Sequence, residues 1–139
     1  MALIYKISQY IENKKRGILF HAPTDVYFGI NNVFQPDLIY LEDQKSSLIT
    51  DKGIGGSPNL IIEIISPSNS YIDGSVKKGK YDLFGVEEYW IADPGNKTLE
   101  IYNLDEKQEY KLSLFLAEGG EVKSSVLKEI SFELSGIFA

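Results

Sequence analysis

The chain has 139 residues, 43% of them hydrophobic, with no cysteine and a single histidine, His21. That excludes a disulfide framework, thiolate chemistry and multi-histidine metal sites, and weighs against a histidine-based triad. The formal net charge of −6 argues against attachment to nucleic acid through overall charge, while leaving room for a local basic patch.

The length fits one domain over residues 1–139. Any metal must be held by carboxylates and carbonyls, which favours Mg²⁺, Mn²⁺ or Ca²⁺. The N-terminus carries no basic segment followed by an apolar one, and no run approaches membrane-span length, so a soluble cytoplasmic protein is expected.

Leu3, Ile4, Ile7, Tyr10 and Ile11 recur at helical spacing and predict a helix over Leu3–Lys15, stopped by Gly17. Residues 17–22 and 24–29 read as short strands on either side of Pro23, and Asn31-Asn32 as a turn. Val33–Glu42 reads as a strand interrupted at Pro36, which cannot donate to a ladder. Asp43–Ser57 is polar and glycine-rich and reads as the longest loop.

Ser57–Ser68 (SPNLIIEIISPS) is the most apolar run. Leu60, Ile62 and Ile64 fall on one face and Ile61 and Ile65 on the other, which predicts a strand buried on both sides. A turn at Pro67–Tyr71 and a helix over Gly74–Phe84 follow, with Asp73 as N-cap and Gly85 as stop. Val86–Asp93 is a strand. Thr98–Leu104 and Glu109–Leu116 alternate as a hairpin pair, with a turn at Gly119-Gly120. The tail over 122–138 supplies a short strand and apolar anchors at Ile130, Phe132, Leu134 and Phe138. Helix, strands, helix and further strands in this order predict a mixed sheet with helices packed on it.

Glu63 sits in the buried strand beside Ile61 and Ile65. A carboxylate there is costly unless a cation, a metal or several donors meet it, so it is either half of a core ion pair or a ligand. Asp37 shares the parity of Val33, Ile39 and Leu41, with Gln35 one step away. It is either a Pro-Asp turn residue or a second carboxylate able to converge with Glu63 on one divalent cation. Lys77 and Lys80 both fall on the inward stripe of the predicted helix, while Lys78 pairs outward with Asp82; geometry does not choose between the first two, and either can be a snorkelling lysine. His21 reads as structural, and Asp25 either caps a turn or reaches the site. Tyr89 and Trp90 read as core. Phosphate-binding loops, dinucleotide fingerprints, nucleophile elbows and zinc spacings are absent.

Gln35–Leu41 (QPDLIYL), Gly55–Ser70 (GGSPNLIIEIISPSNS), Asp73 with Lys77 and Tyr81, and Gly85–Pro94 (GVEEYWIADP) together resemble the Uma-type family of putative restriction endonucleases, within the PD-(D/E)XK nuclease superfamily. The four blocks run in order between about Gly17 and Leu104, and their combined spacing is more specific than any one of them. The resemblance implies an α/β (α+β) fold with a restriction-endonuclease-like core, a mixed β-sheet flanked by helices, with additional antiparallel hairpins.

It implies Asp37, Glu63 and Lys77 as catalytic residues, with Mg²⁺ or Mn²⁺ held by Asp37, Glu63 and the backbone carbonyl of Ile64. Ile65 stands where the superfamily's lysine usually follows the glutamate; in this family the lysine moves to the next helix, which selects Lys77 over Lys80. The implied function is metal-dependent hydrolysis of phosphodiester bonds in nucleic acid, DNA first, with Gln35 supporting the site. A third reading is a purely structural assembly protein, a homodimer whose contact surface is the hairpin over Thr98–Leu116. Two departures stand out. Asn59 replaces the usual Asp before the central strand. The chain also begins without the N-terminal segment, bearing a Glu and a nearby His, that relatives carry, so the alternative is a catalytically inactive nuclease-like binding or regulatory domain.

Overall fold

A computed structural model describes residues 2–29, 31–65, 81–82 and 84–138. The helix α1 spans Leu3–Lys14 and buries Leu3, Ile7 and Tyr10, spaced to form one stripe. It ends two residues before Gly17, at Lys15, which turns left-handed (φ 54°) and donates its N–H to the Ile11 carbonyl at 2.8 Å. Gly17 has a different role from the predicted helix stop. Its φ is +86°, and a Cβ there would run into the Tyr40 hydroxyl and lie 2.6 Å from Tyr40 Cζ. Gly17→Ala therefore combines a strained backbone with overpacking against a buried ring. A loss of about 2–4 kcal/mol is expected from a urea titration.

Six strands form the main sheet: β1 (Ile18–His21), β4 (Leu38–Leu41), β7 (Leu60–Ile64), β8 (Glu88–Asp93), β9 (Thr98–Leu104) and β10 (Tyr110–Ala117), hydrogen-bonded in the order β1-β4-β7-β8-β9-β10. Only β7 and β8 run parallel, so the sheet is mixed, as expected. The isoleucine-rich run is a strand with Leu60, Ile61, Ile62 and Glu63 all buried. The predicted hairpin of β9 and β10 is present, with its register shifting between Leu112 and Leu114.

Alternation in these strands feeds two cores, one on each face. Leu38, Tyr40, Leu60, Ile62, Trp90 and Ala92 pack with α1 and with the C-terminal stretch around Leu127 and Leu134. That stretch carries the short pair β11 (Glu121–Val122) and β12 (Phe132–Glu133). On the opposite face Ile39, Leu41, Ile61, Tyr89 and Ile91 pack with Val26, Phe28, Ile54, Tyr81 and Val86.

The second core is roofed by a small sheet of β2 (Val26–Tyr27), β3 (Val33–Phe34), β5 (Ile49–Thr50) and β6 (Gly53–Ile54), in the order β3-β2-β6-β5. Two expectations change here. The strand predicted over Val33–Glu42 breaks at Pro36 into β3 and β4, which join different sheets. Its alternation does not carry across the break: Val33 is 46% exposed and Gln35 is exposed, whereas Ile39 and Leu41 are fully buried. The stretch predicted as a loop, Asp43–Ser57, holds a 3₁₀ turn over Asp43–Leu48 and the β5–β6 hairpin. Among the described residues, no helix is long and apolar enough to cross a membrane.

Candidate active site

The antiparallel pairing of β4 with β7 matches Leu38 with Ile62 and Ile39 with Ile61. One step further along the ladder, Asp37 stands opposite Glu63. The two residues are tied reciprocally: Asp37 Oδ2 accepts the Ile64 N–H at 2.6 Å, and Glu63 Oε1 accepts the Asp37 N–H at 3.3 Å. Pro36 makes this possible by ending the regular strand just before Asp37, so that the Asp37 side chain turns back on the neighbouring strand instead of continuing the pleat. The Asp37 carbonyl meanwhile accepts the Ala22 N–H at 3.0 Å, which anchors the residue from its other side.

Glu63 is 8% exposed and, sharing the parity of Ile61, projects into the second core. Ile65, at the position where the superfamily's lysine is usual, packs against that core and donates its N–H to the Ala92 carbonyl at 2.8 Å. A lysine there would have to bring its charge into an apolar cluster.

Aromatic rings wall this side of the sheet. Tyr81 meets Tyr89 edge-on at 5.2 Å between centroids and Phe34 at 5.4 Å, and Phe28 stacks on Phe84 at 4.7 Å. Tyr81 and Tyr89 are fully buried, and neither hydroxyl has a hydrogen-bond partner among the described residues. Each such group costs about 1–3 kcal/mol. Burial pushes the Tyr81 phenol far up, and the negative charges of Glu63 and, more weakly, Asp37 push it further. Tyr89 is raised the same way, by burial and then by Glu63. Both phenols therefore stay protonated at neutral pH and keep an O–H to donate. Tyr110, also raised by burial, spends its hydroxyl on the Val86 carbonyl at 2.7 Å.

The other candidates separate from this pair. Gln35 was expected to support Asp37 and Glu63; instead its amide donates to Asp25 Oδ1 at 2.7 Å, while Tyr27 donates to Asp25 Oδ2 at 3.2 Å. Asp25 is thus engaged by the small sheet. His21 is exposed, with Nδ1 3.1 Å from the Ala22 carbonyl. Asn59 lies at the far end of β7, where its Oδ1 accepts the Glu42 N–H at 2.8 Å. An Asp can accept the same bond, so the exchange leaves the Glu63 end of the strand untouched. Lys77, Lys78, Lys80 and Asp73 lie outside the described residues.

Two residues escaped the sequence reading. Tyr89 read as plain core, yet its buried hydroxyl has no hydrogen-bond partner among the described residues. Glu88 was not singled out at all and is fully buried, although nothing in the dipeptide Glu87-Glu88 distinguishes it from its neighbour.

Among the described residues, no group of three or more His, Asp or Glu gathers that could hold a metal by itself. The donor set is two carboxylates and the strand carbonyl beside them. That suits a small hard cation such as Mg²⁺, which keeps several waters and needs only one or two carboxylates. Asp37 Oδ1 meets no donor among the described residues.

The mixed sheet, with its acidic residues at the adjoining ends of β4 and β7, defines a restriction-endonuclease-like fold. A solved structure from Anabaena variabilis ATCC 29413, described as a putative nuclease belonging to DUF820, superposes with a TM-score of 0.76 at 18% identity, covering 97% of this chain and 75% of that one. The family Uma2, described as putative restriction endonuclease, matches residues 2–135, and the chain belongs to it. No curated protein matches.

Proposed function

We propose that this protein hydrolyses phosphodiester bonds in nucleic acid, DNA first, as a single PD-(D/E)XK-type domain that uses Mg²⁺ or Mn²⁺. The observation that carries the proposal is the reciprocal tie of Asp37 and Glu63 across β4 and β7. It places two carboxylates from adjacent strands side by side. Asp37, Glu63 and the Ile64 carbonyl would hold the cation, which when bound supplies Lewis-acid polarisation of the phosphoryl group and lowers the pKa of a water. The Ile64 N–H fixes the Asp37 carboxylate, so that Oδ1 stays presented. Buried walls around Glu63 lower the local dielectric and strengthen every charge interaction at the site. Lys77 is proposed as the catalytic cation that offsets charge developing on the phosphoryl oxygens.

The test is cleavage of plasmid and single-stranded DNA with Mg²⁺, Mn²⁺ or a chelator. Glu63→Gln and Lys77→Met are expected to lose cleavage by about 10²-fold or more, and Lys80→Met to retain it. Full activity of Glu63→Gln refutes the assignment, and loss in Lys80→Met with retention in Lys77→Met moves the cation to Lys80. The second reading, a nuclease-like domain that binds without cleaving, is favoured by the net charge of −6. DNA retained on a filter but left intact under every metal would identify it.

A further inference from the structure

β10 closes one side of the main sheet. It pairs with β9, and no described strand pairs with its other edge. It is the longest described strand, with eight residues, one charge at Lys111 and no proline. Two of the three large apolar side chains that are more than half exposed among the described residues lie in it, Leu112 at 53% and Phe115 at 54%. An open edge of this kind is a template for another strand. The register shift at Ser113 decides which strand fits. Leu112 stands opposite Tyr102, on the face of the second core, and Leu114 opposite Ile101, on the face of the first. Ser113 lies on the same side as Lys111, because its hydroxyl donates at 2.6 Å to Oδ1 of Asn103, which stands opposite Lys111. Tyr110, Leu112, Phe115 and Ala117 thus share one face, and Lys111, Ser113, Leu114 and Leu116 the other. The order of faces is the same read from either end. In an unbulged strand of eight residues the two readings are opposite.

We propose that β10 pairs antiparallel with β10 of a second copy of this chain, Leu112 of each copy facing Phe115 of the other. One sheet then runs through both copies. In this register every residue from Tyr110 to Ala117 meets a residue on its own face: Tyr110 meets Ala117, Lys111 meets Leu116 and Ser113 meets Leu114. The contact is self-complementary, as a two-fold axis requires. The charges agree with it. At both ends Lys111 lies diagonal to Glu118 of the other copy, within reach of a long side chain, and both residues are exposed. Glu109, which would face Glu118, falls outside the strand. A single paired edge stands at the low end of specific interfaces, about 1,200 Å² in total, so the dimer is expected to dissociate on dilution. The pairing uses none of the candidate catalytic residues and does not depend on the proposed cleavage.

The experiment is sedimentation velocity between about 1 and 500 μM. The wild type is expected to pass from monomer to dimer over this range. Leu112→Lys and Phe115→Glu each change two symmetry-related contacts and are expected to weaken the dimer about 10-fold or more. Their melting temperatures at low concentration should match the wild type, because both side chains are exposed; if either melts lower, Leu112→Thr and Phe115→Thr take their place with the same expected direction. Mixing the two charged variants sets one pair of opposite charges and one apolar pair across the axis, so the mixture is expected to associate more tightly than either variant alone. A wild type that stays monomeric at every concentration overturns the proposal. So does a dimer that neither substitution weakens, which puts the contact elsewhere, or a mixture no tighter than its components, which rules out this register.

Discussion

Replacing Asp37 by asparagine is expected to leave the protein folded and remove the proposed nuclease activity. The carboxylate has one role in the fold and one proposed role at the cation, and this substitution separates them. One oxygen, Oδ2, accepts the Ile64 N–H at 2.6 Å; an asparagine carbonyl oxygen can accept that bond in the same place. The other oxygen then becomes an NH₂ group, which cannot ligate a cation. Stability should change by less than about 1 kcal/mol, the net worth of a typical hydrogen bond. Losing an anionic ligand forfeits several kcal/mol of transition-state stabilisation. At about 1.4 kcal/mol per factor of ten, a loss of about 4 kcal/mol lowers the cleavage rate about 10³-fold.

Asp37→Ala removes both roles. It strands the Ile64 N–H at a partly buried strand end, at a cost of about 1–3 kcal/mol, and should be as inactive as the asparagine variant. Urea unfolding and a plasmid-nicking assay on both variants check the argument. An active Asp37→Asn would mean that this carboxylate only holds β7 in register.

The part of the site that lies in β7 was legible because its apolar residues occupy both parities. LIIEI reads as a strand covered on two sides, and a carboxylate inside it demands a reason. Asp37 was harder. Reading it in phase with Val33 and Gln35 assumed one unbroken pleat, and Pro36 ends that pleat. Its partnership with Glu63 comes from the register of β4 on β7, a tertiary fact that local alternation does not contain. The same limit hid the β5–β6 hairpin in a glycine-rich stretch, since two-residue strands leave too little alternation to read. It hid the tyrosines too. A phenol in an apolar run reads as a ring, and whether its hydroxyl finds a partner depends on elements folded over it from elsewhere. Gln35 was placed near Asp37 by sequence distance, but the small sheet carries it to Asp25.

Glu88 carries the largest expected effect on stability. It is fully buried, and no cation pairs with it among the described residues. Its charge is met entirely by dipoles. Oε1 accepts the Ser125 N–H at 3.0 Å, the Ser125 hydroxyl at 2.8 Å, the Asn103 amide at 3.0 Å and the Val126 N–H at 3.4 Å. Oε2 accepts the Trp90 indole N–H at 2.8 Å and the Ser124 hydroxyl. One side chain at the start of β8 thereby fastens β9, through Asn103, and the C-terminal stretch, through Ser124–Val126, to the sheet that carries Glu63. Glu88→Ala would leave all these donors buried without an acceptor, and a loss of about 3–5 kcal/mol is expected, of the size seen when one member of a buried charged network is removed. Glu88→Gln should cost less, about 1–3 kcal/mol. Its NH₂ must face one of the two donor sets; on the Oε2 side the Ser124 hydroxyl can rotate to accept, but the indole N–H cannot. Trp90 is the only tryptophan, so its fluorescence in urea reports both the unfolding midpoint and the loss of the indole bond in the folded baseline. The expected order of stability is wild type, then Glu88→Gln, then Glu88→Ala, with increased proteolysis of the stretch over 118–131 in the alanine variant. Equal stability of the glutamine variant and the wild type would mean that the charge on Glu88 contributes nothing, and that the donors need only an acceptor of the right shape.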